Sequence, residues 1–183
     1  MSDIQNRKLL TVKDISEAIT FDKSDEGITR TIRQIRHWTQ SDLLRPISQK
    51  STGKGVPRVY EQDPTVMISA VLLELCRYGG TVDILKFASK ELYEDWDDDP
   101  DVEGWYMSTA LTHINAFLQI AWDIDAVTGA FIGAKVTMFD DQDLFYEGAP
   151  EVESNRIAIL REPSSSILVN MTAIAERIYP LPW

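Results

Sequence analysis

The chain has 183 residues, enough for one large domain or two small ones that each bury a core, with 44% hydrophobic and 26% charged residues. No apolar run reaches the ~20 residues that a membrane-spanning helix needs, and the first residues lack a signal-peptide pattern, so the expectation is a cytoplasmic protein with no membrane contact. The net charge of -11 divides unevenly: residues 1–90 hold 14 Lys+Arg against 11 Asp+Glu, and residues 91–183 hold 4 against 18. Such asymmetry suggests a half that faces nucleic acid and an acidic half with another task.

In chain order, Leu9 to Ile19 reads as a short helix with Thr11 as N-cap and Val12, Ile15 and Ile19 at helical spacing. Residues 21–27 are polar, end in glycine and read as a loop. A second helix is predicted from about Thr31 to Gln40. Thr31 and Gln34 stand at capping-box spacing, and Ile28, Ile32, Ile35 and Trp38 form an inward stripe. Leu43 and Leu44 anchor the exit, and Pro46 stops any continuation. Residues 47–60, with Gly53 and Gly55 between Lys50, Lys54 and Arg58, read as a β-hairpin with a basic tip.

A third helix, from about Pro64 to Tyr78, aligns Met67, Val71 and Leu75 and stops at Gly79-Gly80. Thr81 then caps a fourth that carries Ile84, Leu85, Ala88 and Leu92. The acidic stretch 94–103 marks the composition shift and is read as a linker. Beyond it, residues 106–127 read as a long helix with two apolar seams, residues 132–139, 156–161 and 166–171 as strands, and residues 172–178 as a closing helix.

Arg33, Arg36, His37-Trp38, Leu43-Leu44 and Pro46, followed by Arg58-x-Tyr60 and the Gly79-Gly80-Thr81 break, resemble MerR-type transcription regulators in order and spacing. The resemblance covers about residues 9–92. It implies a winged helix-turn-helix in which the second helix enters the major groove of double-stranded DNA and the wing follows the backbone. Asp42 stands where that family usually has glycine, His37-Trp38 replaces its usual tyrosines, and the turn at 21–27 is longer than usual.

The expected fold is therefore α+β: a winged helix-turn-helix domain over 1–93, mainly α with a β-hairpin wing, an acidic linker over 94–103, and a smaller α+β domain over 104–183 for dimerisation or effector sensing. With the isoleucine stripe inward, Arg30, Thr31, Arg33, Gln34, Arg36 and His37 are the candidate DNA contacts on the reading helix, and Lys50, Lys54, Arg58 and Tyr60 those on the wing. Arginine reads guanine edges or holds phosphates, glutamine can reach adenine, and wing lysines add salt-sensitive affinity.

One cysteine and two histidines are too few for a thiolate metal sensor, and Cys76 among leucines reads as a core residue. The acidic stretch lacks the glycine and the bidentate glutamate of a calcium loop. No phosphate loop and no nucleophile–histidine–acid set stands out, so neither a cofactor, a metal nor catalysis is expected. The reading is a sequence-specific transcription regulator, homodimeric, with a small-molecule or protein effector on the C-terminal half. The alternative is an adaptor or architectural protein that binds DNA weakly and without sequence preference, its acidic C-terminal half serving as a protein-interaction module.

Overall fold

The computed structural model describes residues 8–47, 57–98, 116–128, 130–139 and 165–178. Within them the fold is mixed α+β: five helices and two small antiparallel sheets. Strand β1 (Leu9–Thr11) pairs with β2 (Val59–Glu61), Leu10 opposite Tyr60, both buried. Residues 9–11 are thus extended rather than the first turn of a helix. The helix α1 (Val12–Ile19) begins behind Thr11, which closes a full capping box: Asp14 N–H donates to Thr11 Oγ1 at 3.4 Å, and Thr11 N–H donates to Asp14 Oδ2 at 2.8 Å. The Thr11 N–H, and the Thr11 hydroxyl that also donates to Asp14 Oδ2 at 2.8 Å, hold the Asp14 carboxyl below its ordinary 3.8. A depressed folded value stabilises above the unfolded one and is lost as pH falls through the folded one. Thr11→Ala should cost about 1 kcal/mol by denaturant titration at neutral pH, and the deficit should narrow in acid.

The connection to α2 (Asp25–Gln40) is shorter than the polarity of residues 21–27 suggests. Lys23 donates to the Glu17 carbonyl and so closes the end of α1. Asp22 accepts from Ser24 N–H at 3.0 Å, and Ser24, not Thr31, is the N-cap, accepting from Gly27 N–H at 3.1 Å. Asp25 and Glu26 then suit the positive end of the helix. Gly27 lies so close to Asp22 that a Cβ there would sit 2.2 Å from the Asp22 carbonyl oxygen. The early start also turns the helix. Gly27, Thr31, Ile35, Trp38 and Thr39 are buried, whereas Ile28 and Ile32 are only half-buried.

Helix α3 (Gln62–Arg77) is buried along nearly its whole length, from Pro64 to Leu75, as its almost unbroken apolar run requires. It ends before Gly79, whose φ of +80° suits glycine. Helix α4 (Val82–Asp98) packs on it through Ile84, Leu85, Ala88 and Leu92. α4 runs on through residues 94–98, so the acidic stretch begins as helix rather than linker. Tyr93 is buried, and Arg45 lies over its ring at 4.3 Å while pairing with Asp97 at 2.8 Å.

The second sheet has the order β4-β3-β5, from β3 (Phe117–Ile124), β4 (Phe131–Phe139) and β5 (Ser165–Asn170). The predicted helix over 106–127 is therefore corrected across Phe117–Ile124, and its residues 106–115 lie outside the described residues. Two apolar seams fit a strand as well as a helix. Leu118 and Ile120 face inward with their cross-strand neighbours Met138, Val169, Val136 and Ile167, and Phe117, Gln119 and Ala121 take the other side. The strands expected at 132–139 and 166–171 and the closing helix are present, the last as α5 (Met171–Ile178). The strand expected at 156–161 lies outside the described residues. Helix α5 and β5 both contact α3, and the buried residues of the sheet join those of the helices in one core. Among the described residues no helix is long and apolar enough to cross a membrane.

Candidate nucleic-acid interface

Burial of one side of α2 decides what its other side offers. Because Gly27, Thr31, Ile35 and Trp38 recur at steps of four, four and three, they define an inward stripe, and Arg33 falls opposite it. Arg33, Arg36, His37 and Gln40 are all exposed there, with Arg30 on the flank. Arg33 and Arg36 have no ion pair or hydrogen bond among the described residues, so their donors are open to a ligand. Arg30 pairs with Glu26 at 3.5 Å, but both side chains are more than 70% exposed, so the pair holds it weakly.

Arg36 also lines a cleft of about 480 Å³ with Thr11, Lys13, Gln40, Pro57 and Arg58. The start of α1, the last turns of α2 and the approach to β2 therefore bring three cations together. Such a cleft suits a backbone phosphate. Lys13, exposed on the first turn of α1, was not apparent as a site residue, because its sequence neighbourhood shows only the capping box. Its place beside Arg36 depends on how α1 packs on α2.

Three candidates do not face outward. Thr31 is 4% exposed and its hydroxyl donates to the Gly27 carbonyl at 3.1 Å, so it belongs to the packed side of α2. Tyr60 is fully buried, its hydroxyl 2.7 Å from Thr39 Oγ1, and it ties β2 to the end of α2 rather than meeting a nucleic acid. Gln34 is half-buried, with its side-chain amide towards the Cys76 thiol on α3. Burial raises the Cys76 thiol above its ordinary value, which keeps it protonated and unreactive. Lys50 and Lys54 lie outside the described residues, as does the tip of the expected hairpin; the part described shows Ile47 N–H donating to the Val59 carbonyl at 3.0 Å.

At the end of α2, Leu43 N–H donates to the Trp38 carbonyl at 2.8 Å and Asp42 takes φ = 62°. That left-handed conformation favours glycine, and aspartate is among the few other residues that tolerate it. Leu43 and Leu44 are both buried, so the turn returns the chain directly to the core. Among the described residues no group of three or more His, Cys, Asp or Glu is placed to hold a metal ion. No protein-family model matches the chain, and no curated protein matches it in sequence.

Proposed function

We propose that this chain is a sequence-specific DNA-binding transcription regulator of the MerR type, not an enzyme, acting in the cytoplasm as a homodimer. In this reading α1, the turn and α2 form a helix-turn-helix, and the segment leading into β2 is the wing. The observation that carries it is the outward face of α2, where Arg33, Arg36 and His37 stand exposed while the opposite face is locked into the core. Arg33, at the centre of that face, reads a guanine edge in the major groove. Arg36, with Lys13 and Arg58 around its cleft, seats a backbone phosphate. The left-handed Asp42, at a position where MerR-type regulators usually have glycine, supports the same assignment. The C-terminal half, whose described part is a sheet and a helix, takes the regulatory and dimerising role.

The test is selection from a random duplex library at two salt concentrations. A defined motif should emerge, two-fold symmetric if the protein is a dimer. Arg33→Ala should weaken the selected site ten- to a hundredfold, about 1–3 kcal/mol, and relax one position of the motif. Arg36→Ala should weaken all sequences alike and lower the log–log salt slope by about 1. Uniformly weak binding without a motif, falling steeply with salt, would instead make the protein an adaptor.

A further inference from the structure

A second charged cluster lies away from the outward face of α2, where α5 meets the end of α3. The Phe21 ring, in the turn before α2, is covered by two guanidinium groups: Arg177 Cζ is 3.8 Å from its centroid and Arg77 Cζ 4.6 Å. Both cations share one counter-ion. Arg77 Nη1 lies 3.0 Å from Glu74 Oε2, and Arg177 Nη1 lies 3.6 Å from Glu74 Oε1. Among the described residues, one carboxylate against two guanidiniums leaves a surplus positive charge. Arg177 is also under-bonded: its Nε and Nη2 are closed to solvent and have no hydrogen-bond acceptor among the described residues. Buried donors without acceptors are costly, and when they persist in a fold they call for a partner.

Beside this cluster opens a groove of about 300 Å³, at the small end of ligand sites, lined by Phe21, Arg77, Tyr78, Leu168, Ile174 and Arg177 among others. Its chemistry is two-sided: guanidinium donors near Glu74, and aromatic or aliphatic surface from Phe21, Tyr78, Leu168 and Ile174. Tyr78 and Leu168 are well exposed, so that surface is not otherwise covered among the described residues.

We propose that the groove binds a small organic anion, a carboxylate on a compact apolar body. The carboxylate bridges Arg77 and a slightly rotated Arg177, supplying the acceptor that Arg177 lacks. The body rests on Phe21 and the apolar wall. A bare inorganic anion would leave that wall wet, and a cation would meet the surplus charge. Phe21 stands three residues before the Ser24 cap of α2, so occupancy would bear on the turn that sets that helix; any effect on DNA rests on the reading above.

The experiment is calorimetric titration of the full chain, without DNA, using benzoate as the probe. Saturable one-site binding is expected with a Kd of about 1 mM. Acetate, lacking the ring, should bind at least tenfold more weakly, and benzylamine should give no saturable heat. Arg77→Ala should weaken benzoate at least tenfold; Arg77 is more than half exposed, and circular dichroism should show the fold intact. Arg177→Met should do the same. Absence of saturable benzoate binding, equal binding by acetate or benzylamine, or an unchanged affinity in Arg77→Ala would each overturn the proposal. Because the titration contains no DNA, its failure and the failure of the DNA selection are separate results.

Discussion

Trp38→Ala should destabilise the protein by about 3–5 kcal/mol, the largest single effect expected of any residue on α2. Trp38 is 2% exposed and among the largest fully buried side chains, on the inward stripe with Ile35. Removing its indole loses the transfer free energy of a large apolar group and leaves a cavity that the neighbouring helices can only partly fill. Domains of this size have roughly 5–15 kcal/mol in hand, so the variant should unfold at a much lower denaturant midpoint with little change in slope. Trp38→Phe should recover most of the loss. Arg33→Ala, at the opposite side of the same helix, should leave the midpoint within about 0.5 kcal/mol of the unmodified protein while weakening DNA binding. A small loss in Trp38→Ala, near 1 kcal/mol, would mean that α2 does not pack as described. The proposed division of α2 into a packed face and a reading face would then fall with it.

That division was partly legible in the sequence. Helical spacing alone puts Ile28, Ile32, Ile35 and Trp38 inward, Arg33 and His37 outward and Arg36 near the border; Ile35 and Trp38 are buried, Ile28 and Ile32 half-buried, and Arg33, Arg36 and His37 exposed. Spacing carries such information because both faces belong to one element. Two candidates, Tyr60 and Gln34, are groups whose placement depends on packing against a segment far along the chain. Tyr60 carries an apolar ring and a polar tip, and only the packing of β2 against α2 decides that the tip meets Thr39. Gln34 is polar and central to the helix, yet it is half-buried near Cys76 of α3. Thr31 and Gln34 imitate a capping box, but Ser24 and the close approach of Gly27 to Asp22 start the helix earlier. In the other direction, Lys13 and Arg36 join one cleft only because α1 and α2 pack together.

The second sheet shows the limit of periodicity more sharply. A segment apolar on both sides satisfies a buried helix and a buried strand equally, and pairing with distant segments decides between them. Residues 117–124 find β4 on one edge and β5 on the other, with Ile120 opposite both Val136 and Ile167. The Arg177 cluster was beyond any local reading, since it draws on the α1–α2 turn, α3 and α5 at once.

Glu74→Ala tests how firmly that cluster joins the last helix to the rest. The Glu74 and Arg177 side chains are 11% and 18% exposed, so water reaches either one poorly. Burial already draws the Arg177 guanidinium below its ordinary value, and Glu74 opposes that shift. Without Glu74, Arg177 keeps its charge in a desolvated place beside Arg77, with only the Phe21 ring to face. The expected cost is about 2–3 kcal/mol, below the ~3–5 kcal/mol of a fully buried pair because these ions keep some contact with solvent. The decisive comparison is a double-mutant cycle. If the loss comes from an uncompensated charge, Arg177→Met on the Glu74→Met background should restore most of the stability, since apolar residues of similar volume replace such pairs at little cost. Additive losses across the cycle would assign the effect to packing on α3 instead. Benzoate should raise the midpoint of Glu74→Ala more than that of the unmodified protein, because the groove then holds two positive charges without a carboxylate of its own.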